Sequence, residues 1–173
     1  MLAILLILFF VMVVLFSLVV IGILQLVFDI FLELPYVGAN RKRIKTIIDF
    51  SQIKKGDRVI DLGSGDGRLL IASAKEGAIA TGYEINPFLL LLSHLKIRFA
   101  KTKKAQVKKE SLWNAPLKSA DIIFVYALRK SMKKFEEFVY KNAKRGTRVV
   151  VNTNPFPNKK PKKHENGIFL YIV

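Results

Sequence analysis

Two carboxylates and a cluster of glycines stand where ligand chemistry could occur. Asp61 lies near the end of a short β-branched run, Arg58-Val59-Ile60-Asp61-Leu62, and Gly63-Ser64-Gly65-Asp66-Gly67 follows at once. A glycine turn between a strand and a helix brings backbone N–H groups close to a ligand, at the point where open α/β sheets bind ligands. The spacing is G-x-G-x-G. It differs from the G-x-G-x-x-G of dinucleotide folds, and no Gly-Lys-Ser/Thr follows as a phosphate loop would require. A carboxylate at the strand end repels a pyrophosphate and suits a cationic ligand such as an amino group or a sulfonium. Glu84 ends the next apolar run, 21 residues after Gly63, the position from which a carboxylate accepts both hydroxyls of a ribose. An Asp61 that merely capped the following helix would leave Glu84 and the register of three glycines without an explanation.

Other chemistries are poorly supplied. The chain has no cysteine, which excludes disulfides, Cys-ligated zinc, iron–sulfur clusters and thiol nucleophiles. His94 and His164 lie 70 positions apart without HExxH-like spacing, so no metal site is expected. His94 falls within an apolar helix and reads as structural. Trp113 reads as core.

The elements that must hold these residues alternate between helix and strand. Asn40 can cap a helix to about Phe50. Strands are expected at 58–62, 79–84, 105–108, 121–126, 148–152 and 168–173. Helices are expected from Arg68 to about Glu76, from Pro87 through Phe99, and from Ser131 to Lys144. Phe88, Leu91, Leu92, Leu95 and Phe99 line one face of the second of these. Met132, Phe135, Phe138 and Val139 point inward on the third. Alternation of this kind means an α/β fold with a mostly parallel sheet. The Lys- and Pro-rich stretch 158–163 reads as a loop.

Composition divides the 173 residues in two. Positive mean hydropathy and a net charge of +16 coexist because they occupy different segments. Residues 1–40 contain no Lys or Arg and two acids, Asp29 and Glu33; residues 41–173 hold all 29 basic residues and 11 acids, a net of +18. Residues 1–28 carry no charged side chain. A hydrocarbon core of about 30 Å needs roughly 20 apolar helical residues, so this segment reads as a transmembrane anchor. A cleaved signal peptide would need a basic start, a shorter apolar run and a small-residue cleavage site. Residues 29–40 read as an interfacial linker, and residues 41–173 as the domain it carries. Arg41, Lys42, Arg43 and Lys45 place that domain on the cytoplasmic side of a single-pass protein by the positive-inside rule. The basic runs Lys101–Lys104, Lys108-Lys109 and Lys159–Lys163 suit contact with an anionic leaflet, to which each Lys or Arg adds about 1 kcal/mol of attraction. Charge alone would suit nucleic acid equally well.

Asp61-Leu62-Gly63-Ser64-Gly65-Asp66-Gly67 and Gly82-Tyr83-Glu84 resemble the first two motifs of the class I S-adenosylmethionine-dependent methyltransferases. The resemblance covers about residues 40–173 and implies a Rossmann-like sheet with S-adenosyl-L-methionine as cofactor. It implies that Asp61 and the backbone of Gly63, Ser64, Gly65 and Gly67 hold the methionine moiety, and that Glu84 holds the ribose. Glu110 or Ser111, after the third strand, would contact adenine.

A narrower resemblance rests on the apolar anchor, Pro35-Tyr36-Val37, the basic helix, the Asp-Leu-Gly-Ser-Gly-Asp-Gly turn and Val125-Tyr126-Ala127-Leu128. Together these are similar to the small membrane-anchored lysine methyltransferases that modify the c-ring protein of ATP synthase or the adenine nucleotide translocase, and to their prokaryotic relatives. Gly38 departs from that pattern where proline is typical, and little chain follows the fifth strand for a usual sixth and seventh. The implied activity is methyl transfer to a protein lysine near a membrane, with Tyr126 and Tyr36 orienting the amine. An RNA or DNA methyltransferase, a small-molecule or lipid methyltransferase, and a non-catalytic cofactor-binding membrane protein are the alternatives. The Asn/Asp-Pro-Pro-Phe/Tyr common among base and glutamine amino-methyltransferases does not follow the fourth strand, which disfavours the nucleic-acid reading.

Overall fold

A computed structural model describes residues 1–31 and 41–173 of the chain. It divides into two compact units, Met1–Pro35 and Tyr36–Val173. The first holds the helix α1 (Leu2–Phe31). Within it, Leu2–Leu24 is apolar but for Ser17 and not buried, so by length and composition it can cross a membrane. The hydroxyl of Ser17 donates to the Val13 carbonyl at 2.8 Å and is thus satisfied inside the helix. The helix continues past Phe28, where the span was expected to end, to Phe31. The rest of the expected linker, with Pro35 and Tyr36, lies outside the described residues.

The second unit is built on seven strands: β1 (Arg58–Leu62), β2 (Ile79–Glu84), β3 (Ala105–Lys109), β4 (Ile122–Tyr126), β5 (Arg148–Asn152), β6 (Lys163–Glu165) and β7 (Ile168–Ile172). Its helices are α2 (Arg41–Ser51), α3 (Arg68–Lys75), α4 (Pro87–Phe99) and α5 (Met132–Asn142). The strands lie in the order β3-β2-β1-β4-β5-β7-β6. β1 to β5 run parallel; β7 lies antiparallel between β5 and β6. Central strands rich in Val, Ile and Phe are what a sheet covered on both faces requires. Accordingly Val59, Ile60, Leu62, Ile122, Ile123, Phe124, Val125, Val149, Val150 and Val151 are all buried. Two crossovers, through α3 and α4, step leftward from β1 to β3, while α5 steps the other way from β4 to β5. Right-handed crossovers therefore put α5 on the opposite face of the sheet from α3 and α4.

One expectation is revised here. The short stretch after β5 does complete a seven-stranded sheet. A two-residue turn at Asn166-Gly167, both with positive φ (50° and 71°), joins β6 to β7 as a tight hairpin. An Asn-Gly pair is a strong hairpin signal, and it saves the residues that a longer connection would use. α4 carries the five expected apolar residues on one side. Its five-residue apolar face does not enter the core: Phe88, Leu91, Leu92, Leu95 and Phe99 are all exposed, Phe99 to 80%. Leu89 and Ser93 are buried instead, with Leu90 and Ile97 packed against the core.

Candidate functional site

Chain direction reverses at β1 and β4: the path from β1 leads to β2 on one side, and the path from β4 leads to β5 on the other. The crevice outside their carboxyl ends is where open α/β sheets take ligands. Asp61 and the glycine turn close β1 there, and Tyr126 closes β4.

The turn is wired to itself. The N–H groups of Gly63 and Ser64 both donate to the Tyr83 carbonyl, at 3.0 and 3.1 Å. Gly65 N–H donates to Glu84 Oε2 at 2.9 Å, and Gly67 N–H to the Ser64 carbonyl at 3.0 Å. Gly63, Gly65 and Gly67 all have positive φ, which this path demands. An expected feature is thereby altered. Four backbone donors are consumed internally, so the turn offers a ligand carbonyls more than amides. Among the described residues, no hydrogen bond reaches the carbonyls of Gly63 or Gly65.

Asp61 lies beneath this turn, 5% exposed, its carboxyl without a hydrogen bond or ion pair to a described residue. Burial, then the neighbouring carboxylates of Glu84 and Asp66, push that carboxyl up to about 7. A desolvated carboxylate beside acceptor carbonyls fits a ligand carrying an ammonium or sulfonium. It does not fit a phosphate.

Glu84, expected to hold a ribose, has a second duty that sequence reasoning missed. Its Oε1 accepts from the N–H groups of Ile85 and Asn86 at 2.9 and 2.8 Å, while Oε2 accepts from Gly65. One carboxylate thus clamps the turn to the start of α4. Asn86 caps that helix, its Oδ1 accepting from Phe88 N–H at 2.9 Å and Leu89 N–H at 3.3 Å. Asp66, also unanticipated, is buried and pairs with Arg68 (Nε to Oδ1, 2.8 Å) and with Lys96 of α4. An Asp within a glycine turn followed by Arg was the available signal; the partner on α4 had none.

Small residues permit these approaches. A Cβ on Gly82 would run into the Ser64 side chain and into Leu70 Cδ1 at 2.7 Å. Ser64 therefore turns inward against β2, where its hydroxyl is buried without a partner. A Cβ on Gly67 would meet Ser93 of α4.

The remaining site residues are placed less tightly. Tyr126 is half-buried, in register with Asn152 of β5. Asn154 Nδ2 donates to the Ala127 carbonyl at 2.9 Å and so joins the segments leaving β4 and β5. Glu110 and Ser111 are half-buried just past β3, beside the end of β2. Trp113 clusters with Phe135 and Phe138 of α5, ring centroids 4.8 and 5.1 Å away, with Lys134 over its ring, in keeping with a core role. His94 is exposed on α4. Tyr36 lies outside the described residues. Among the described residues, no cluster of three or more His, Asp or Glu could hold a metal ion.

Known proteins match this architecture. Residues 61–163 match the family described as the ANTKMT methyltransferase domain. The chain is 31% identical over 135 residues to the lysine N-methyltransferase of Mus musculus named for the c-ring protein of ATP synthase, covering 78% of this chain and 54% of that one. It is 27% identical over 152 residues to a protein-lysine N-methyltransferase of Saccharolobus islandicus, covering 82% and 94%. The chain spans about half the length of the animal relatives it matches. An RNA methyltransferase from Salinibacter ruber, solved with S-adenosyl-L-homocysteine, superposes with a TM-score of 0.75 at 22% identity over 79% of this chain and 94% of that one, which shows a shared fold. With its seven-stranded sheet, its G-x-G-x-G turn and the match from Asp61 onward, the chain belongs to the ANTKMT methyltransferase family and carries that family's S-adenosylmethionine-dependent methyltransferase domain.

Proposed function

We propose that the chain is a single-pass membrane protein that transfers a methyl group from S-adenosylmethionine to a lysine of a protein at the membrane surface. One observation carries the cofactor side. Asp61 is a buried carboxylate without a described partner, beside the turn carbonyls of Gly63 and Gly65 that accept no bond from a described residue, in a domain of this family. The lysine side is supported by relatives named as lysine N-methyltransferases at 31% and 27% identity. The anchor is supported by α1, and a cytoplasmic domain by Arg41, Lys42, Arg43 and Lys45 following it.

When bound, the cofactor supplies an electrophilic methyl group. The chain's own part is alignment and a dry mouth. Asp61 and the carbonyls of Gly63 and Gly65 receive the cationic end. Glu84 keeps the turn closed while facing the ribose, and Glu110 or Ser111 faces the adenine. An incoming lysine must be neutral to attack, and its ordinary pKa is near 10.4, so surroundings that are desolvating and positive favour the reactive form. Tyr126, at the mouth end of β4, orients the amine, and Tyr36 serves the same mouth from the preceding segment.

The test uses the full chain in detergent with radiolabelled S-adenosylmethionine, presented separately with membranes and with total RNA. Label on protein lysine in the membrane sample is the expected result. Label on RNA alone would assign the chain to nucleic acid. On the true substrate, Tyr126→Phe should lower kcat by about tenfold or more while leaving cofactor affinity unchanged. Full turnover in both Tyr126→Phe and Tyr36→Phe removes the tyrosines from the mechanism.

A further inference from the structure

The exposed face of α4 has no role in the site just described, and it is unusual for a domain surface. Phe88, Leu91, Leu92, Leu95 and Phe99 fall at i, i+3, i+4, i+7 and i+11, an arc about 100° wide along a helix about 20 Å long. Their exposures are 41, 60, 38, 44 and 80%. The opposite side of the same helix is already committed: Leu89 and Ser93 are buried, and Leu90 and Ile97 pack on the core. The face is therefore a second apolar surface, contiguous and left to the outside. Scattered apolar side chains need no account, but a contiguous patch marks an interaction surface.

Charge identifies the occupant. No acid occurs between Ile85 and Lys109, whereas Arg98 borders the apolar arc and Lys101, Lys103 and Lys104 follow it, all exposed. Aromatic and leucine side chains on one face with basic residues at the border form the pattern of a helix lying in a membrane interface over anionic lipid.

We propose that α4 docks on the anionic lipid surface, with Phe88, Leu91, Leu92, Leu95 and Phe99 inserted at headgroup level. This rests on the reading of α1 as a membrane anchor, which would hold the face at high local concentration beside a bilayer. The docked helix matters to the reaction because of the residue that caps it. Asn86 caps α4 and receives the Glu84 clamp, so the helix on the lipid and the glycine turn move as one piece. Docking presents the mouth of the site to lysines close to the bilayer surface.

The absence of native cysteine allows a single label. Full-length Leu95→Cys, and Lys141→Cys on α5 as reference, are labelled with an environment-sensitive fluorophore. Each is reconstituted into vesicles of phosphatidylcholine with phosphatidylglycerol, some carrying brominated acyl chains. The label at position 95 should be quenched at least about twofold more than the reference. The excess should disappear when Leu91→Gln and Phe99→Gln are added. Equal quenching at both positions, in protein that stays with floated vesicles through alkaline carbonate, overturns the docking and leaves the anchor standing. Loss of the protein to carbonate overturns the anchor, and the docking with it. Shielding of position 95 in lipid-free micelles, together with a two-chain mass by light scattering, would give the face to a second copy and also overturns the proposal.

Discussion

Asp61 is a liability that the proposed cationic ligand would remove. Its carboxyl is pushed up to about 7 from the ordinary 3.8, so between those values the folded protein binds more protons than the unfolded chain. Stability must then fall as pH rises from about 4 to about 7, the reverse of the usual salt-bridged carboxylate, and above 7 the full burden of a buried charge remains. Asp61→Asn should therefore melt higher than the parent at pH 8, by an amount on the order of 1–4 kcal/mol, with the gap closing towards pH 4. The same variant should bind S-adenosylmethionine at least about tenfold more weakly by calorimetry, since a charge-assisted contact is lost. In the parent, cofactor affinity should rise from pH 6 to pH 8, because the bound cation favours the ionised carboxylate. A flat affinity over that range would mean that Asp61 does not meet the cation. The place of Asp61, the glycines and Glu84 was legible in the sequence, because residue type and spacing at a strand end carry it. The grip of Glu84 on Gly65 was not, since it depends on how the turn closes, which spacing alone leaves open.

Between elements, the site is held by approaches that only small residues allow. Gly82 of β2 accommodates Ser64 and Leu70, and Gly67 accommodates Ser93 of α4. Gly82→Ala should destabilise the domain by about 1–3 kcal/mol through overpacking and weaken cofactor binding in parallel, measured by denaturant melts and calorimetry on one sample. A loss of binding without loss of stability would place Gly82 at the ligand and not under the turn. Element identity was legible in nearly every case. β4 was expected from Asp121 and starts at Ile122; α5 was expected over 131–144 and spans Met132–Asn142. The orientation of α4 was not legible for a physical reason. Periodicity tells which side chains share a face, but α4 is apolar on two faces, and tertiary contacts such as Ser93 against Gly67 and Lys96 with Asp66 decide which one turns inward. The β6–β7 hairpin was overlooked although Asn166-Gly167 announces it, because a lysine-rich run read as loop obscured a three-residue strand.

At the scale of the molecule, an apolar helix and a domain of net charge +18 sit in one chain. If α1 anchors the chain as proposed, this pairing makes the lipid a determinant of rate. Methylation of a membrane-borne protein substrate should run several-fold faster in proteoliposomes containing phosphatidylglycerol than in neutral ones. The advantage should fade as salt is raised from 0.1 M, where screening acts over about 10 Å, towards 1 M, where it acts over about 3 Å. Equal rates in both lipids at low salt would leave the charge without a membrane role. The edges of the sheet bear on a different hazard. Chains confined to a membrane meet their own copies far more often than chains in solution, and an open sheet edge is a template for pairing with a neighbour. β3 closes one edge with Lys108 and Lys109 exposed. β6 closes the other with Lys163, His164 and Glu165, all exposed, after a run that holds Pro157 and Pro161. Lysines on both rims and prolines beside one of them discourage strand addition. A chain anchored as proposed could be crowded in the plane of a bilayer without its sheets joining into fibrils.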